Sequence, residues 1–168
     1  MNAREWATMM ARYNAWQNAN LYGAADGLTD AARREDRGAF FRSIHGTLSH
    51  VLWADHMWLS RLTGREKPDV PQAASGGYIP IWEELIEARD STDAELSAWA
   101  ASLTDEAVAS DLNWFSGGSQ REMSSPMLSI VAHVFNHQTH HRGQVHAMLT
   151  AAGAMPGPTD LPWMPDPE

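Results

Sequence analysis

From residue 4 to residue 26, Trp6, Met9, Tyr13, Trp16 and Asn20 recur at alternating spacings of three and four, the period that lines up one face of an α-helix. A second stretch, FFRSIHGTLSHVLWADHMWLSRLTG, follows Gly38. Its Phe41, Ile44, Leu48, Leu52, Leu59 and Leu62 predict another helix with a broad apolar stripe, ending at Gly64. Residues 65–80 hold Pro68, Pro71, Pro80 and the pair Gly76-Gly77, and read as a loop. From Trp82 the helical period returns through Leu85, Ala88, Thr92, Leu96, Trp99 and Leu103, and Thr104 with Asp105 and Glu106 is suited to cap a short turn. Residues 113–123, NWFSGGSQREM, predict a tight turn or small hairpin around Gly117-Gly118. A last helix is expected from a cap at Ser124 or Ser125, with Pro126 in its first turn, to about Ala152, stopping at Gly153. The proline-dense tail MPGPTDLPWMPDPE is predicted to be irregular, with Trp163 as its anchor. Four amphipathic helices joined by loops predict an all-α four-helix bundle forming a single domain over residues 1–168.

Composition narrows the chemistry. The chain has no cysteine, so any metal site must be built from His, Asp, Glu, backbone or water. Its 12 basic and 21 acidic residues give a formal charge of -9, which repels phosphate backbones and argues against nucleic-acid binding. The opening MNAREWATMMARYNAWQ mixes charge into its apolar residues, and no run approaches a membrane span. A cytoplasmic protein with no membrane partner is expected.

Five of the eight histidines fall between residues 133 and 146. At about 100° per residue, His137 and His141 lie about 40° apart, with His133 about 40° to the other side. Ile130, Val134, Val145 and Met148 lie alongside, so these imidazoles border the buried stripe. Two imidazoles one turn apart can share a divalent ion, and a catalytic site usually adds a third protein ligand and keeps a position open. The second helix offers His45, His50 and His56. Of these, His50 shares an arc with the small residues Ser43, Gly46, Thr47 and Ala54, which leave room for a ligand; His45 and His56 share the polar side with Arg42, Ser49 and Ser60 and read as solvated. The run HQTHH is not a zinc-peptidase helix: Gln138 stands where the general base is needed, and an amide cannot accept that proton.

The segment NHQTHHRGQVHAML closely resembles the NHxxHHRGQ signature of the DinB-like family of bacterial helical bundles. RYNAWQNANLYGAADGL at 12–28, SHVLWADHMWLSRL at 49–62 and the ending AAGAMPGPTDLPWMP are also similar to that family. The resemblance implies a four-helix bundle, often a homodimer, that holds a divalent metal through one histidine of the second helix and two of the last. By motif these are His50, His137 and His141. Relatives with assigned activities include thiol-dependent transferases and isomerases, so the resemblance implies a small-molecule substrate, a low-molecular-weight thiol joined to an electrophile with the metal's help. The rival expectations are a metal-dependent hydrolase using a metal-bound hydroxide, with Asp55 or Glu122 as base, and a non-catalytic metal- or ligand-binding dimer. Three imidazoles suit several transition metals, with Zn and Ni foremost.

Further residues carry expectations of their own. Gln144 is placed to orient a ligand histidine, and Trp53 to line a pocket; His133 and His140 are left to supporting or surface roles. Arg142 is expected to form a structural ion pair. Gly143 interrupts a helix, where it costs about 1 kcal/mol against Ala, and close approach of a neighbouring helix is the expected reason. Tyr13 and Asn20 either satisfy local polar groups or face the metal cavity.

Overall fold

The structure, a computed structural model, describes residues 1–166; Pro167 and Glu168, the end of the predicted tail, lie outside the described residues. The chain is mainly helical: α1 (Ala3–Asp26), α2 (Asp30–Arg34), α3 (Ile44–Thr63), α4 (Trp82–Ser102), α5 (Asp105–Val108) and α6 (Met127–Ala151). Local chemistry sets several boundaries. Asn2 and Glu5 form a reciprocal capping box at the start of α1, the Ser43 hydroxyl accepts from the Gly46 amide at the start of α3, and Gly64 closes α3 in the left-handed region.

The all-α expectation needs a correction. Strands β1 (Asp111–Ser116) and β2 (Arg121–Pro126) pair antiparallel, with Trp114 opposite Met123. The hairpin is longer than its Gly117-Gly118 turn suggested, and Ser124 and Ser125 belong to β2 instead of capping α6. The strand runs directly into the helix, whose Met127 amide donates to the Ser110 carbonyl (2.9 Å). Trp114 meets Trp58 of α3 edge-on at 5.6 Å, with Arg61 over both rings, and this cation-aromatic stack docks the hairpin. The stretch from Gly38 to Ser43 is also not helical. It turns through an Ala39–Arg42 bridge before α3 begins.

The four long helices contact one another as α1 with α4 and α6, and α3 with α4 and α6. Apolar residues gather in two clusters. One contains Leu21, Ile44, Leu48, Leu52, Leu85, Val145 and Leu149; the other contains Ala7, Ala11, Leu59, Leu96, Trp99, Val131 and Phe135. Cluster membership gives the directions: α1 and α6 run from the second cluster to the first, while α3 and α4 run the opposite way.

Between the clusters lies a polar layer contributed by all four helices. Arg89 donates to Asp55 (2.6 Å) and is paired with Asp93 (2.8 Å). Asn14 and Asn18 donate to Asp93, and Gln138 donates to Asp55 (2.9 Å). Arg142 donates to Asn14 and Gln138, closing the ring. Two aspartates and two arginines thus share one buried, charge-balanced circuit, the condition under which buried charge is tolerated.

The tail packs along α1, but not through Trp163, which is 67% exposed. Its carbonyls hold it instead: Tyr13 donates to Thr159 (2.6 Å), Gln17 to Pro158 (3.0 Å) and Arg12 to Pro165 (2.9 Å). Tyr13 therefore faces the tail and not the histidine cluster, and Asn20 lies against Gly157 of the same tail. Among the described residues no helix is long and apolar enough to cross a membrane.

Candidate metal centre

Helices α3 and α6 run antiparallel in contact, which brings His50 of α3 beside His137 and His141, one turn apart on α6. Each of the three offers a ring nitrogen, and these nitrogens all lie within 4.8 Å of one another. His50 Nε2 and His137 Nε2 are 3.4 Å apart. Two nitrogens bound tetrahedrally to one ion at roughly 2.0–2.1 Å stand about 3.3–3.4 Å apart, so this pair already has the spacing of co-ligands.

Neighbouring groups fix which nitrogen carries a proton. Ser75 donates its hydroxyl proton to the Gln72 carbonyl (2.6 Å) and therefore accepts from His50 Nδ1 (2.8 Å). The lone pair of His50 is then on Nε2, facing His137. Gln144 uses its amide oxygen to accept from His141 Nδ1 (3.0 Å), while its nitrogen donates to His140 (3.3 Å), so His141 also keeps its lone pair on Nε2. Such hydrogen bonds are how proteins select a ligand tautomer and hold the ring.

Burial keeps the imidazoles uncharged. It pulls His50 down to about 3 and His137 to about 4, with neighbouring imidazoles adding to both shifts. His141 is also lowered by burial, against the opposing hydrogen bond to Gln144. At neutral pH all three present lone pairs, the form a metal requires. The donor set of three neutral nitrogens, with neither thiolate nor carboxylate, fits a divalent ion of the Zn or Ni kind.

The space beside His50 is occupied, not open. Phe41 stacks on the His50 ring at 3.7 Å and 17° and meets His141 edge-on at 5.6 Å. Gly46 makes this approach possible, because a Cβ there would sit 2.5 Å from the Phe41 carbonyl oxygen. Trp53 also lies near-parallel to the His50 ring at 6.1 Å, its indole N–H donating to the Val70 carbonyl (2.7 Å). The small-residue arc of α3 thus admits an aromatic wall.

His133 packs against Trp58 (5.0 Å) and lies 5.7 Å from the His137 ring, outside the trio. His45 and His56 are not solvated as expected, for they are only 2% and 8% exposed. The segment after α3 folds back over their face, so His45 meets the Ile79 carbonyl (2.9 Å), and His56 is held between Tyr78 (2.9 Å) and Thr92 (2.7 Å). Arg142 forms no ion pair among the described residues; its partners are neutral amides and Thr139. Gly143 has no atom within 4 Å of where its Cβ would be, so no neighbouring helix explains it. Ser75 and Phe41 were not visible in the sequence as site residues: Ser75 lies in a short 3-10 helix (Gln72–Gly77) within the stretch that read as a loop, and Phe41, which the apolar period assigned to the helical stripe, lies in the turn before α3.

A family model described as the DinB family matches residues 1–168. The chain belongs to the DinB family. Among curated proteins, Protein DinB of Bacillus subtilis (strain 168) is 26% identical over 157 residues, covering 93% of this chain and 91% of the relative. The crystal structure of a DinB-like protein from Bacillus cereus matches with a TM-score of 0.50 at 18% identity, over 85% of this chain and 90% of the other. That structural match bears on the DinB fold alone.

Proposed function

We propose that this DinB-family chain is a metal-dependent enzyme that transfers a small thiol to an electrophilic substrate, with His50, His137 and His141 as the metal ligands. The observation that carries the reading is the convergence of three neutral imidazoles from two helices, two of them with Nε2 freed by a fixed hydrogen bond on Nδ1. A divalent cation held there would supply positive charge that favours the thiolate form of a low-molecular-weight thiol, the nucleophilic form. Ser75 and Gln144 orient the rings that hold it. Phe41 and Trp53 flank His50 and shield that side of the centre from water. His133 and His140 supply no ligand in this reading.

The hydrolytic alternative finds less support. Asp55 is 1% exposed and committed to Arg89 and Gln138, and Glu122 lies exposed on the hairpin opposite Phe115. Neither is free beside the histidines to serve as a base.

The reading extends to a four-helix bundle of the DinB-like type that works as a cytoplasmic homodimer. Its test begins with metal analysis of untagged protein, in which the native chain carries about one divalent ion per site and His50→Ala and His137→Ala carry none. Incubation with a cellular low-molecular-weight thiol and a panel of electrophiles then consumes thiol and electrophile together only in the loaded native protein. A metal-replete protein inert to the whole panel refutes the transferase reading, and a native protein that binds no divalent ion refutes the metal centre.

A further inference from the structure

A cavity lies between α1 and α6, on the side of α6 turned away from the ligand histidines. It is a groove of about 350 Å³, open to solvent where Gly143 is exposed, and its lining includes Tyr13, Leu21, Thr139, Arg142, Gly143 and His146. Thr159 of the tail forms part of its rim, held there by Tyr13. No carboxylate belongs to the lining. Its basic side chains are Arg142, in a residue 5% exposed, and His146, whose Nε2 faces the Gly157 carbonyl (3.4 Å).

Arg142 is not a saturated structural cation. Nη1 donates to Asn14 and Gln138, while Nη2 reaches only Thr139, at 3.3 Å. Nε has no hydrogen-bond partner among the described residues and is not a buried orphan. The Nε and Nη2 edge of a guanidinium is the fork that matches a carboxylate with two parallel hydrogen bonds. A guanidinium keeps its charge at neutral pH even when buried.

Gly143 supplies an independent observation. A glycine in a helix interior is unfavourable, yet nothing packs against this one and its backbone is ordinary helix. It borders the cavity, where its missing side chain leaves space.

We propose that this cavity is a binding site for a small monocarboxylate with an apolar body, its carboxylate on Arg142 and its body against Leu21, Gly143 and the Tyr13 ring. A single permanent cation with a planar fork suits one carboxylate; His146, the other basic group of the lining, is engaged with the Gly157 carbonyl. The site is separate from the metal centre and does not rest on the function proposed for it.

Benzoate is the probe, titrated into the full-length, isotopically labelled chain while backbone amide signals are followed by NMR. The expected result is saturable movement of the Thr139, Arg142 and Gly143 signals, with benzamide, the neutral isostere, at least tenfold weaker. In Gly143→Leu, which fills the cavity and keeps the network intact, thermal stability is retained and the response to benzoate is lost. Arg142→Lys, which keeps the charge but loses the fork, weakens benzoate at least tenfold. The proposal is overturned by a native chain whose cavity signals do not move, by benzamide binding as well as benzoate, or by a folded Gly143→Leu that responds like the native protein.

Discussion

His50 and His137 are 87 positions apart in the chain, yet their Nε2 atoms stand 3.4 Å from each other with both rings uncharged at neutral pH. Nothing in either helix alone requires that approach. It follows from antiparallel packing of α3 on α6, and from Ser75, which turns the Nε2 of His50 toward α6.

Ser75→Ala therefore tests orientation apart from ligation. It leaves all three imidazoles in place but frees the His50 ring to rotate, and we expect divalent-metal affinity to fall about 10- to 100-fold. Competition with a chromophoric chelator measures this. An unchanged affinity removes Ser75 from the orienting role.

Acid should weaken the fold through His56. Burial pulls its folded-state value down to about 4, from about 6.5 in the unfolded chain. The unfolded chain binds the proton first, so the contribution is complete above pH 6.5 and is lost as pH falls toward 4, by about 2–3 kcal/mol. Asp55 acts in the opposite direction: burial pushes it up to about 6 against the pull of Arg89, so the folded state takes its proton first. Urea midpoints measured from pH 7 to 4.5 should decline in the native chain and decline less in His56→Gln.

Arg89→Met removes the shared cation of Asp55 and Asp93 and leaves both carboxylates buried. Removing one partner of a buried ion pair typically costs 3–5 kcal/mol, and urea denaturation should register a loss of about that size. A loss under about 1 kcal/mol indicates that water or a shifted side chain replaces the guanidinium.

Two glycine-to-alanine exchanges should have opposite signs. In Gly143→Ala the new Cβ meets nothing, and we expect a gain of about 0.5–1 kcal/mol from helix propensity. In Gly46→Ala the Cβ meets the Phe41 carbonyl at 2.5 Å, so the loop must move and a loss of about 1–3 kcal/mol is expected. Paired thermal melts measure both.

The long helices were legible because each carries a sustained apolar period, and α6 also carried its histidine spacing. The hairpin was legible as a turn or small hairpin, but not in its full length: Trp114 and Met123 pair across it, and cross-strand pairing leaves little trace in a single short stretch. Spacing left the third imidazole open among His45, His50 and His56, because all three lie on one helix and differ in what folds over them. His45 and His56 looked solvated for the same reason, since the segment carrying Tyr78 and Ile79 that covers them has no helical period. Gln138 stood out in the sequence only as an absent catalytic base. In the fold it joins α6 to Asp55, a contact spanning 83 positions.

The mid-height circuit of Asp55, Arg89, Asp93, Asn14, Gln138 and Arg142 bears on how the molecule assembles. No pair of helices contains all of its members, so a half-assembled species holds an uncompensated ion in an apolar setting and is disfavoured. Sliding one helix by a turn carries the same penalty. The two greasy ends would each tolerate many alignments, but the wet belt between them accepts one, and unfolding should accordingly be all-or-none across the whole molecule.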